Sequence, residues 1–222
     1  MAKGALVGRK VAFTPGASAT DGYLAVPESG VGPGLLVVGR TAALTGHVSS
    51  VVDRLAAEGF VAYAPDLFHP SGSADDATVA LPSLVADFVA AAARFDGEHA
   101  GPLGIVGFGS GGTLALAAAA EIGEASAVVS FYPELDGLAD VPWARFRNKS
   151  AVIHEAGPKD ALTAVQRRIN EAGGSVRVYD YADAEPDFFN DDRPESYHPD
   201  AARTAWARTL ELFRGRLVAE AA

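Results

Sequence analysis

The sequence predicts an α/β fold, with a mostly parallel central sheet and helices on both faces. Three observations point there. Short, continuous apolar runs recur along the chain and alternate with segments of helical spacing. A glycine-rich turn, Gly107-Phe108-Gly109-Ser110-Gly111-Gly112, joins one such run directly to a helix. No internal repeat, low-complexity tract or linker divides the 222 residues, so one domain over 1–222 is expected.

The elements follow in order. Val11-Ala12-Phe13 and Gly22-Tyr23-Leu24-Ala25-Val26 predict an antiparallel hairpin ahead of residue 34. Gly34-Leu35-Leu36-Val37-Val38-Gly39 is an apolar run suited to a strand buried on both faces. Val48, Val51, Val52, Leu55 and Ala56 carry helical spacing across residues 47–59, and Gly59 is a stop signal. Strands are expected at 60–65, 103–107, 127–132, 150–154 and 175–179. Helices are expected at 81–94, 113–121, 161–172 and 199–216. In a sheet of this kind ligands sit at the carboxyl ends of the strands. That brings the loops after Gly39, Gly107, His154 and Tyr181 around one cleft.

Composition excludes several function classes. Lys and Arg number 18 against 28 Asp and Glu, for a formal charge of −10, which repels phosphate backbones and anionic lipid. Nucleic-acid and membrane partners are not expected. There is no cysteine, so disulfides, thiolate nucleophiles and Cys-type zinc sites are ruled out. The N-terminus lacks a long apolar stretch, and residues 77–95 are interrupted by Pro82 and Asp87. No signal peptide or membrane span is expected, and the default location is cytoplasmic. No spacing suggests a metal site, and no cofactor is expected.

The glycine turn supports three interpretations. As a nucleophile elbow of the small-x-nucleophile-x-small type, Gly107 and Gly111 are the small residues and position 109 is the apex. Glycine there carries no attacking atom, but it tolerates the strained backbone an elbow imposes. As a dinucleotide fingerprint, Gly107, Gly109 and Gly112 spell G-x-G-x-x-G, with Glu134 as a ribose-binding acid. Two βα units precede this turn, whereas the fingerprint opens the first. As a plain strand-to-helix turn it binds nothing, although its helix amides keep an affinity for anions.

The elbow context, residues 104–112 followed by Leu114-Ala115-Leu116, resembles the dienelactone hydrolase family. So do Gly22-Tyr23-Leu24-Ala25-Val26-Pro27, the stretch from Val51 with Asp53-Arg54-Leu55-Ala56 to Ala64-Pro65-Asp66-Leu67-Phe68, and a C-terminal set. That set is Phe188, Asn190-Asp191, Arg193-Pro194, Tyr197, Ala201-Ala202 and residues 205–210. The resemblance covers nearly the whole chain. It implies the α/β-hydrolase fold and acyl transfer on lactones and small esters by a Cys (or Ser), His, Asp triad, assisted by a Glu after an early strand. The chain departs from that pattern. The nucleophile position is Gly109. The family's Gly-Ala-x-His-Gly-Phe stretch reads Asp183-Ala184-Glu185-Pro186-Asp187-Phe188, which puts Pro186 at the His position. The Glu position is Arg40, and Asp160 stands at the Asp position.

Ser110 is a substitute nucleophile candidate, with Asp160 as its acid and His154 as a stand-in base. Of the other histidines, His47 starts a helix and His69 lies in a loop that approaches the cleft. His99 and His198 are expected in solvent. Arg40 is expected to enter the cleft toward Asp160 and Asp187, as an internal ion pair or, with the amides near Ser110 and Gly111, as a seat for a small carboxylate. Thr41, Phe108, Tyr132, His154, Asp187 and Phe188 complete the expected pocket, with Trp143 as a further apolar wall. The leading expectation is a non-catalytic or repurposed homologue, monomeric or homodimeric, that binds a partner or a small carboxylate, ester or lactone. The alternatives are an ester or lactone hydrolase using Ser110 with Asp160, a nucleotide-binding protein through residues 107–112, and a purely structural partner subunit.

Overall fold

The structure, a computed structural model, describes residues 8–12, 21–40, 42–67, 80–135, 138–157 and 160–218. Its strands are β1 (Arg9–Ala12), β2 (Asp21–Ala25), β3 (Gly34–Val38), β4 (Val61–Pro65), β5 (Leu103–Phe108), β6 (Ala125–Phe131), β7 (Ser150–Glu155) and β8 (Ser175–Asp180). They form one sheet in the order β1-β2-β4-β3-β5-β6-β7-β8. β1 and β2 make the expected antiparallel hairpin, and β2 runs antiparallel to β4. From β4 to β8 every pairing is parallel. The mostly parallel α/β architecture is thus present, with the antiparallel pairs confined to one edge.

β3, β4 and β5 are buried at every position, which is why they read as continuous apolar runs rather than alternating ones. The edge strand β8 instead alternates between exposed and half-buried residues. Helices α1 (Gly46–Ala57) and α5 (Pro199–Phe213) cover one face. Helices α2 (Leu81–Phe95), α3 (Ser110–Glu121) and α4 (Asp160–Glu171) cover the other. In α3 residues 111–120 are buried all round, so its run of alanines is a packing choice that brings the helix close to the sheet.

Helix ends follow local chemistry. Thr45 caps α1 through its hydroxyl, which accepts from Val48 N–H at 3.3 Å. The buried carbonyls past the end of α3 are gathered by Lys149, whose Nζ donates to Ile122 at 2.8 Å and Ala125 at 2.7 Å. Two expected boundaries move by three residues. The helix expected from residue 113 starts at Ser110, because the glycine turn itself opens it. The last helix gives way after Phe213 to a π-turn, Arg214–Val218.

Three side chains sit elsewhere than expected. His99 is not in solvent: it is half-buried and packs against Phe95, ring centroids 4.7 Å apart. His198 caps α5, its Nδ1 accepting from Ala201 N–H at 3.3 Å. Trp143 packs on Phe146 in the layer of α2, α3 and α4, away from the loops that hold Tyr132 and Phe188. No helix among the described residues is long and apolar enough to cross a membrane.

Candidate functional site

The sharp turn between β5 and α3 is built by its backbone. Gly109 stands at φ 60° and ψ −128°, a region that side-chain-bearing residues rarely adopt, and its N–H donates to the carbonyl of Phe131 at 2.9 Å. The flanking glycines are required by contact. A Cβ on Gly107 would run into the carbonyl of Gly111, and a Cβ on Gly111 into the carbonyl of Gly39. This is the geometry of an elbow, with residue 109 at its apex.

Arg40 leaves the end of β3 and lies on that apex. A Cβ built on Gly109 would sit 3.1 Å from both Cζ and Nε of Arg40. The guanidinium donates from Nε at 3.3 Å and Nη2 at 3.0 Å to Oδ1 of Asp187, and from Nη1 at 3.2 Å to Oε1 of Glu134. Arg193 takes the other oxygen of Asp187, Nη1 to Oδ2 at 3.1 Å. Asp187 is therefore held between two guanidiniums and is 7% exposed. The partner on the solvent side, Glu134, keeps 55% of its side chain exposed.

Strain gathers at the same place. Among the described residues four other than glycine have positive φ, and three lie on the loops that meet here: Ala42 (55°), Tyr132 (38°) and Asp187 (72°). Such residues cost stability and tend to persist where loop geometry serves a site.

Beneath the loops is an aromatic floor. Phe108 stacks on Phe131 at 4.8 Å and on Phe189 at 5.5 Å, and Phe188 packs against Tyr181 at 4.8 Å and Tyr132 at 5.5 Å. Phe108 and Phe188 are thus support under the cleft. The Tyr132 hydroxyl is buried and has no hydrogen-bond partner among the described residues. Burial raises its pKa and Asp187 raises it further, while Arg40 and Arg193 oppose.

His154 does not lie on the cleft. It is wholly buried, with Nδ1 2.9 Å from the Tyr181 hydroxyl and Nε2 3.1 Å from Thr209 Oγ1. Burial, and then the charge of Arg208, push its pKa down to about 3. It is a satisfied core histidine and supplies no base to the turn. His47 is buried too, edge-on to Phe108 and Phe189, with Asp191 3.3 Å from Nδ1. Ser110, half-exposed, donates its hydroxyl to the backbone carbonyl of Arg40. Pro186 is exposed in the loop between β8 and α5. Thr41 and His69 lie outside the described residues. Asp160 opens α4, and its side chain is likewise outside the description. Of the two acids expected opposite Arg40, Asp187 is a partner.

Glu134 and Arg193 belong to this cluster although sequence reasoning did not put them there. A signal existed for Glu134. It follows the end of β6 by three residues, at the same edge of the sheet as Arg40 and Gly109. Its pairing with Arg40 leaves it engaged at the elbow rather than free as a ribose-binding acid.

A sequence profile of the dienelactone hydrolase family matches residues 20–217. The chain belongs to the dienelactone hydrolase family. Protein usf of Aquifex pyrophilus is 28% identical over 232 residues, spanning 94% of this chain and 98% of its own. The carboxymethylenebutenolidase of Pseudomonas sp. (strain P51) is 28% identical over 214 residues, 86% of this chain and 88% of its own. The crystal structure of a dienelactone hydrolase from Anabaena variabilis superposes with a TM-score of 0.72 at 19% identity, covering 95% of this chain and 99% of that one. At that identity the superposition speaks for the fold. The fold brings the loops that follow β3, β5, β6 and β8 to one edge of the sheet, and this chain's own side chains decide what stands there.

Proposed function

We propose that this chain is a repurposed dienelactone hydrolase homologue that does not run triad hydrolysis and uses the cleft to bind. The observation that carries this is that the elbow apex is Gly109, with the Arg40 guanidinium 3.1 Å from where a Cβ on it would stand. At the apex of the elbow there is no attacking atom, and a side chain placed there would be in tight contact with the guanidinium.

Two further features support it. In the family's Gly-Ala-x-His-Gly-Phe stretch the residue after the His is a Gly. Asp187, at that position, stands at φ 72°, where glycine is favoured. That agreement supports the register that puts Pro186, which has no proton to take or give, at the His position. His154 and Ser110, the substitutes available in sequence, are each turned to internal partners. Losing one triad member already costs several orders of magnitude in rate.

Some relatives are named carboxymethylenebutenolidase. Small lactones and esters are therefore the compounds to try first. The native protein should show no fluorophosphonate adduct by intact mass and no turnover of 4-nitrophenyl acetate above background. An adduct mapped to Ser110, or turnover abolished by Ser110→Ala, would sink the proposal.

A further inference from the structure

Away from the elbow, a crevice of about 390 Å³ opens between α5 with its π-turn and the last two strands of the sheet, and none of the Arg40 cluster lines it. Its origin is in the strand pattern. Ser175, Arg177 and Tyr179 alternate along β8 and so share one face, and Ser150 and Val152 of β7 stand in register with the first two. In the middle of the sheet large apolar side chains close the space under the helices. Here the positions hold two serines and an arginine, and Gly215 on the helical side adds no side chain, so the layer stays open.

The wall is rich in hydrogen-bond donors. Arg177, Arg208 and Arg216 line it against a single carboxylate, Glu211. The hydroxyls of Ser150 and Ser175 lie 3.0 Å apart at its lower end. Glu211 reaches only Arg177, at 3.9 Å, with both side chains 71% exposed. A pair so exposed contributes little and is readily given up. Arg208 is different. It is half-buried, its Nη1 donates to the Tyr181 hydroxyl at 3.2 Å and its Cζ lies 4.0 Å over the Tyr179 ring. Among the described residues no carboxylate stands within 4.0 Å of it. A guanidinium drawn out of water ordinarily has a counter-charge. The two tyrosines hold Arg208 at the crevice wall without supplying one.

We propose that this crevice binds the phosphate group of a small phosphate monoester, with Arg177, Arg208 and Arg216 on the phosphate and the Ser150 and Ser175 hydroxyls serving its organic part. Three guanidiniums facing one displaceable carboxylate match a dianion with several acceptor oxygens. The formal charge of −10 on the whole chain does not forbid this, because charges beyond roughly 8 Å are screened at physiological ionic strength. The volume lies in the range of small-ligand sites, about 300–1,000 Å³, and exceeds what a bare phosphate needs. The site is independent of the elbow and of the role proposed for it.

The test is calorimetric titration of the whole protein at pH 7.5 with glycerol 3-phosphate, inorganic phosphate and sulfate. Glycerol 3-phosphate should bind saturably, and more tightly than either inorganic ion. Arg208→Gln should weaken it about tenfold and the exposed change Arg177→Gln several-fold. Glu211→Gln, also exposed, should tighten it several-fold by removing the competing carboxylate. Arg40→Gln, at the elbow, should bind as the native protein does. Melting curves check folding, and if Arg208→Gln does not fold, Arg177→Gln and Glu211→Gln decide. No saturable binding, or unchanged affinity in Arg177→Gln and Glu211→Gln, would overturn the assignment. So would affinity lost in Arg40→Gln, which would place the ligand at the elbow. Sulfate or inorganic phosphate binding as tightly as glycerol 3-phosphate would show an adventitious ion only and overturn it too.

Discussion

Arg40 places both Nε and Nη2 on a single oxygen of Asp187, 147 residues further along the chain, at 3.3 and 3.0 Å. That contact ties the loop after β3 to the loop before α5 across the apex at Gly109. Each of these three residues limits what the other two can be.

The first limit is spatial. A methyl group on Gly109 would meet Arg40 and would also occupy a backbone region hostile to side chains. Gly109→Ala should destabilise the protein by about 1–3 kcal/mol. Arg40→Ala alone should cost less than about 1 kcal/mol, since its side chain is 35% exposed and one of its partners is largely in solvent. In urea denaturation the double variant should recover about 1 kcal/mol relative to the sum of the singles. Strict additivity would show that Arg40 does not press on the apex.

The second limit is at Asp187. Its side chain binds two arginines, but its backbone is held at φ 72°. Asp187→Ala loses the ion pairs and keeps the strain, whereas Asp187→Gly loses the ion pairs and relieves the strain. Gly at 187 should therefore be more stable than Ala by about 1 kcal/mol, measured as a shift in denaturation midpoint. Equal midpoints would mean that the loop relaxes to negative φ when the carboxylate is removed.

The third prediction concerns pH. His154 has its folded pKa lowered to about 3, below the 6.5 of an unperturbed histidine. The unfolded chain takes up a proton here as pH falls below 6.5, and the folded chain does not. Stability associated with His154 is complete above that pH and declines as pH falls toward 3, at up to ~1.4 kcal/mol per pH unit. In imidazole NMR spectra His154 should stay neutral from pH 8 to 4.5. His154→Gln should show a shallower acid slope than the native protein by about one proton. A His154 resonance titrating near 6 would contradict its burial.

Much of this was legible before any coordinates. Buried parallel strands must be apolar on both faces, so β3, β5 and β6 announce themselves as unbroken runs. The elbow announces itself because close backbone approach at 107 and 111 tolerates only glycine. Arg40 and Asp187 were legible as opposed charges at the cleft. His154 misleads for a simple reason: a strand-end position at the correct sheet edge does not say which face its side chain takes. It turns inward to Tyr181 and Thr209. His99 misleads likewise, because a polar turn around it hides the stacking on Phe95.

By itself, then, the sequence determined the α/β class, the family and the line of loops that make the cleft, since these depend on periodicity and on backbone space that particular residues alone permit. Tertiary structure alone decided that Glu134 and Arg193 join Arg40 and Asp187, that the Tyr132 hydroxyl is buried without a partner among the described residues, that Ser110 bonds the carbonyl of Arg40, and that His154 turns inward. Those outcomes depend on side-chain direction and on charges brought within about 3 Å from distant parts of the chain. No local pattern encodes such distances, because a hydrogen bond of that length is set by the packing of the whole sheet and its two helical layers.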